Sequence, residues 1–158
     1  MMIARIGLYQ GKSFFPSKMI RWFTWSKYSH AAFLCDDGSV YESWHVGGVC
    51  HRKNIHEGHT PGTKIDVFYM AVSELQYFTI LESLRREVGK KYDFKGILGM
   101  LLRKNVDKKA SWFCSELVFK AFKDAGIDLL ANKKPEQVSP ADLSFSPLLT
   151  KLEHQLRT

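Results

Sequence analysis

Ser111-Trp112-Phe113-Cys114-Ser115-Glu116-Leu117-Val118-Phe119-Lys120-Ala121-Phe122 reads as a helix that opens on a cysteine. Ser111 is a natural N-cap, and Phe113, Leu117 and Ala121, joined by Val118 and Phe122, recur at helical spacing before Gly126, a residue suited to stopping a helix. Cys114 then falls in the first turn, where backbone N–H groups lack internal partners and carry partial positive charge. A thiolate is stabilised there, so the spacing predicts a thiol more acidic than the ordinary value of about 8.5. The competing role is a small core hydrophobe, which is what most free cysteines are.

Upstream, Ile3 to Leu8 has the pattern of a first strand, with a turn at Gln10-Gly11-Lys12-Ser13, and Pro16-Ser17 opens a short helical run through Met19, Ile20, Trp22 and Phe23. Tyr28 to Leu34 and Val40 to Trp44 are strand-like runs joined by Cys35-Asp36-Asp37-Gly38-Ser39. Two registers are open. A two-residue turn at Asp37-Gly38 pairs His30 with His45 and sends Glu42 to the other face. A type I turn through Asp36-Asp37, with Gly38 in the left-handed conformation, pairs Cys35 with Ser39, and His30, Ala32, Leu34, Val40, Glu42 and Trp44 then share a face. The extra Asp favours the second.

His45 to His59 reads as a polar loop. Its four histidines (His45, His51, His56, His59) near Cys50 match no familiar zinc spacing and have no helical frame, so no metal site and no cofactor is expected. Lys64 to Met70 alternates as a strand. Ser73 caps a helix with Gln76 in a capping box; Leu75, Phe78, Thr79, Leu81 and Leu84 make its apolar stripe and Gly89 ends it. After Lys90-Lys91-Tyr92-Asp93-Phe94 comes a seven-residue apolar run, Gly96 to Leu102, flanked by Lys95 and Arg103-Lys104. It suits a core helix or, if exposed, a membrane surface. Ser139-Pro140-Ala141-Asp142-Leu143 reads as a capped single-turn helix.

The 158 residues suit one domain, 1–158, large enough to bury roughly 70% of its unfolded surface without staples. No signal peptide or long apolar span stands out, and three cysteines make no paired framework, so the expected compartment is the cytoplasm; a viral origin would instead allow release or delivery to a cell wall. Lys and Arg outnumber Asp and Glu by 23 to 16. The excess is concentrated between Arg85 and Lys109, where nine basic residues face only Glu87, Asp93 and Asp107. A local positive field implies an anionic partner, or else a solvated face.

A thiol at a helix start, a histidine on one strand and a carboxylate on the next are the parts of a cysteine hydrolase. The imidazole takes the thiol proton and the carboxylate orients the ring; such triads are defined by geometry, not chain order. Cys114, His30 and Glu42 are the candidates. At these positions the sequence resembles a family. Phe113-Cys114-Ser115-Glu116-Leu117-Val118 is similar to the Asp-Cys-Ser-Gly-Leu-Val helix start of NlpC-type cell-wall peptidases, Ser29-His30-Ala31-Ala32 to their Ser-His-Val-Gly strand, and Tyr92-Asp93 to their upstream tyrosine. Histidine precedes cysteine here, as in the circularly permuted branch that includes YiiX-type proteins.

The resemblance, from about Ile6 to Leu143, implies a papain-like α+β fold in which the cysteine helix packs on an antiparallel sheet, and a Cys114, His30, Glu42 triad. Tyr92, Ser115, Phe113 and Trp44 are the expected substrate contacts, with Phe113 standing where the standard enzymes carry an acidic residue. Three functions compete. The first is an amidase or peptidase acting through an acyl-enzyme on cell-wall-type peptides or other small amides. The second is a lipid-directed thioesterase or acyltransferase using the same triad, with a peripheral membrane or lipid contact. The third is an inactive basic binding module, disfavoured for nucleic acid because no aromatic-basic motif is present. The oligomeric state is not legible.

Overall fold

The computed structural model describes residues 1–11, 27–44, 46–92, 111–112 and 114–158. The expected helix at 16–23, the apolar run 96–102, Phe113 and most of the basic window lie outside the described residues. Strands β1 (Met2–Gln10), β2 (His30–Leu34), β3 (Val40–Trp44), β4 (Gly48–Arg52) and β5 (Lys64–Val72) form an antiparallel sheet. The order is β4-β3-β2-β1-β5, extended by β8 (Thr150–Lys151), with β9 (Leu156–Arg157) also on β5. Helix α1 (Glu74–Glu87) precedes a two-residue parallel pair, β6 (Lys91–Tyr92) with β7 (Ser111–Trp112). Helix α2 (Cys114–Asp124) and the one-turn helix α3 (Pro140–Leu143) follow. No helix among the described residues is long and apolar enough to cross a membrane.

The alternation of β1 and β2 divides the interior. Ala4, Ile6, Leu8, Ala31 and Phe33 meet Leu117, Val118, Phe119, Ala121 and Phe122 of α2 and Tyr77, Ile80, Leu81 and Leu84 of α1 in one core. Tyr9, Ala32, Leu34, Val40, Ile65 and Val67 form a second, smaller cluster on the other face, packed by Ile55 and Leu156. Each large apolar side chain withdrawn from water in this way contributes about 1.5–3 kcal/mol before entropy is subtracted.

Three sequence expectations need correction. Ser111 does not cap α2: it lies in β7, and the helix begins at Cys114. The stripe of α1 is rotated, so that Leu75 is 77% and Phe78 58% exposed, while Tyr77, Ile80, Leu81 and Leu84 supply the buried face at i, i+3, i+4 and i+7. Residues 48–52 are no loop but β4, with Glu42 opposite Cys50 and Trp44 opposite Gly48. The capping boxes at Ser73/Gln76 and Ser139/Asp142 are present.

Thr158 fastens the second face. The Thr158 carbonyl accepts from Gly62 N (2.6 Å), its N–H donates to Thr63 O (3.0 Å), and its hydroxyl donates to Thr60 O (2.7 Å). Nearby, the buried Asp66 carboxylate takes Lys27 and Lys151, each at 2.9 Å, and the Tyr28 hydroxyl at 2.5 Å. The Thr158 bonds tie residues 60–63 to the segment that follows β9, and the Asp66 bonds tie β5 to Lys27, Tyr28 and β8.

Gly48 joins β4 to the segment after α1. Its φ is +70°, and a Cβ there would stand 2.0 Å from the Lys90 carbonyl oxygen, beside the bond from Val49 N to that same oxygen (2.8 Å). Gly48→Ala is expected to lower unfolding free energy by about 2 kcal/mol or more in urea titration, whereas Gly47→Ala, also at positive φ but with open space around it, loses about 1 kcal/mol.

Candidate active site

The hairpin between β2 and β3 sets the site. Cys35 N donates to Ser39 O (2.9 Å), Gly38 N to Cys35 O (3.1 Å), and Gly38 has φ +84°. This is the three-residue turn, and it puts Glu42 opposite Ala32. Tyr9 of β1 is opposite His30, and Arg52 of β4 is one same-face step beyond Cys50, the partner of Glu42. Tyr9, His30, Glu42, Trp44 and Arg52 therefore converge on the face away from the two helices.

Glu42 is fully buried. Its Oε2 accepts from His30 Nε2 at 2.7 Å and from His59 Nε2 at 2.9 Å, and its Oε1 from Arg52 Nε at 2.5 Å. An ionised carboxylate can only accept, so each neutral imidazole carries its proton on Nε2 and offers a lone pair at Nδ1. Aromatic rings hold both histidines: Tyr9 stacks on His59 with ring centres 4.4 Å apart and meets His30 at 5.1 Å, while Trp44 makes edge-to-face contacts with His30 and His59 at centre separations of 4.8 and 4.7 Å. The Tyr9 hydroxyl is buried with no hydrogen-bond partner among the described residues.

Burial alone would push the Glu42 carboxyl up; the hydrogen bonds from His30 and then His59 hold it well below the usual carboxylate range instead. For His30 burial prevails and lowers its pKa, with Glu42 pulling the other way. The site thus rests as one carboxylate, one guanidinium and imidazole rings, with His30 biased towards its neutral form.

Cys114 is in the first turn of α2 and fully buried. Burial pushes its thiol up to about 12, against the backbone N–H groups of Ala31 and Ser115, and the Glu42 charge adds to the rise. The acidic thiol expected from the helix start is therefore not found: loss of water outweighs the N-terminal field. The sulfur meets the sheet at the amide of Ala31, next to His30, and among the described residues no hydrogen bond joins it to the His30 ring. Ser115 is also buried, its hydroxyl donating to Val138 O at 2.6 Å. Tyr92 sits in β6 opposite Trp112.

His59, Arg52 and Tyr9 belong to the site and escape the sequence reading. The available signal was the Gly47-Gly48 turn followed by Val49-Cys50-His51-Arg52, a second hairpin whose register places Arg52 on the face of Glu42.

The solved structure of the metalloprotein YiiX from Escherichia coli O157:H7 is similar to this chain, with a TM-score of 0.68 over 96% of each chain and 21% sequence identity. The fold is YiiX-like. It is a mixed α+β architecture built on an antiparallel sheet. No family model matches the sequence, and no curated protein does.

Acid should loosen this site in two stages. His30 binds its proton less readily folded than unfolded, so stability falls as pH drops below the ordinary histidine value of 6.5; Glu42 is depressed, so more is lost below its ordinary 4.5. Thermal melts between pH 7.5 and 3.5 should show both falls, with the one near pH 6 reduced in His30→Asn. An unchanged profile in that variant would contradict the assignment.

Proposed function

We propose that the chain is a cysteine-dependent amidase or peptidase of the permuted papain-like, NlpC-related type, acting through an acyl-enzyme on small amides, cell-wall-type peptides among them. The observation that carries this proposal is the His30–Glu42 hydrogen bond at 2.7 Å. It occupies Nε2 and leaves Nδ1 as a base, at a strand position whose next residue, Ala31, has its amide beside the Cys114 sulfur.

In this mechanism the resting pair is a neutral thiol and a neutral imidazole, as the burial of both favours. Cys114 attacks the carbonyl carbon as its proton passes to His30 Nδ1, and the imidazolium that forms is stabilised by Glu42. Unpaired N–H groups of the first turn of α2 meet the oxyanion. His30 returns the proton to the departing amine, and water, activated by the same ring, releases the acid. Arg52 and His59 fix the carboxylate so that its orientation does not change as charge develops on His30.

The test is acylation read by intact-protein mass spectrometry with a panel of small acyl amides, acyl esters and acyl thioesters. One acyl group on Cys114 is expected, and none in Cys114→Ala. Glu42→Gln should retain the fold and reduce the acylation rate by roughly 10²- to 10⁴-fold, the range seen when the residue orienting a catalytic imidazole is neutralised. Acylation undiminished in Cys114→Ala would overturn the proposal, and acylation by thioesters with none by amides would move the activity to the lipid-directed class.

A further inference from the structure

We infer that His30, Glu42 and His59 form a binding site for one divalent transition-metal ion of the zinc class. The three side chains come from separate parts of the chain, two strands and the loop after β4, and converge in a buried place. His30 and His59 side chains are 5% and 4% exposed, and Glu42 is fully enclosed. One ligand atom from each lies within 4.8 Å of the others.

The donor set selects the ion. Two imidazoles and one carboxylate suit zinc and its borderline neighbours, whereas magnesium and calcium prefer all-oxygen shells. Distances agree with that choice. Tetrahedral zinc with bonds of about 2.0–2.1 Å sets its donors about 3.4 Å apart. The present separations, 2.7 and 2.9 Å on Glu42 and no more than 4.8 Å overall, lie on both sides of that value. Small movements of two rings suffice.

Two further features support the site. Ligating carboxylates and imidazoles need outer partners that fix their orientation. Arg52 already holds Glu42 through Oε1, leaving Oε2 to the ion, and Tyr9 and Trp44 brace both rings. The Tyr9 hydroxyl is the second, independent sign: it is a polar group 1% exposed, without a hydrogen-bond partner among the described residues, on a ring stacked against His59. A small polar ligand completing the coordination would supply the partner it lacks. The Arg52 charge opposes a dication, which points to an exchangeable ion rather than a permanently held one.

Occupation has a consequence for the thiol, one that rests on the proposed hydrolase mechanism. A metal on Nε2 requires His30 to carry its proton on Nδ1, so the nitrogen that would accept from Cys114 becomes a donor. Metal binding and thiol activation are then mutually exclusive at one ring.

The experiment is zinc titration of the full chain against a chromophoric chelator, with cobalt substitution read by visible absorption. About one Zn²⁺ per chain is expected, with a tetrahedral cobalt spectrum. Affinity should fall roughly a hundredfold in His59→Ala and in Glu42→Gln, and be unchanged in Cys114→Ser and in the loop variant His56→Ala. Circular dichroism confirms that each variant is folded; should either ligand variant unfold, Tyr9→Phe is expected to leave the stoichiometry at one and alter the cobalt spectrum. No binding by the wild type, a cobalt spectrum with sulfur-to-metal charge transfer that Cys114→Ser abolishes, or full affinity in folded His59→Ala would each overturn the site. The hydrolase proposal is read separately, as acylation of metal-free protein, so either can fail alone.

Discussion

The Glu42 carboxylate is the constraint on which the second face of the sheet depends. A fully buried anion is tolerable only if it is well hydrogen-bonded, and here two imidazoles and one guanidinium supply three bonds from three directions. Each partner belongs to a different segment, so one charge fixes the relative positions of β2, β3, β4 and the loop that carries His59. Removing Glu42 would leave Arg52, which is partly exposed, with only the longer contact to Glu57 at 3.8 Å, and would leave two histidines without their shared acceptor.

Cys114 is subject to the opposite balance. Its position gives it the field of a helix start, yet the packing that makes α2 the main helix of the core, with Leu117, Val118 and Phe122 enclosed, also removes water from the sulfur. Stability and reactivity are in tension at this residue. The apolar surface that secures α2 keeps the thiol protonated, so in the proposed mechanism its nucleophilic power comes from a neighbouring base rather than from the thiol itself.

Much of this is legible in the sequence where local rules act. The Asp36-Asp37-Gly38 turn fixes a hairpin register because a residue count decides which side chains share a face, and Ser73 and Ser139 announce helices because their caps involve residues only three apart. The His59 contact is different. It depends on where a loop comes to rest against a distant strand, and neither spacing nor periodicity encodes that. Leu75 and Phe78 mislead for a related reason: the helical period is correct, but the face that turns inward is chosen by the sheet. At Cys114 the local rule of the helix start is overridden by burial, a tertiary quantity.

The bonds from Thr158 to residues 60, 62 and 63 bear on the order of assembly. His30, Glu42 and His59 emerge during synthesis roughly a hundred residues before the segment that fastens their loop. Until β9 docks on β5, the sheet, the hairpins and both main helices can already be in place while the His59 loop stays unfastened. The β9 segment, made well after the strands it completes, thus acts as the closing step of the site, and a nascent chain can carry a formed core for some time before it carries a finished constellation of charges.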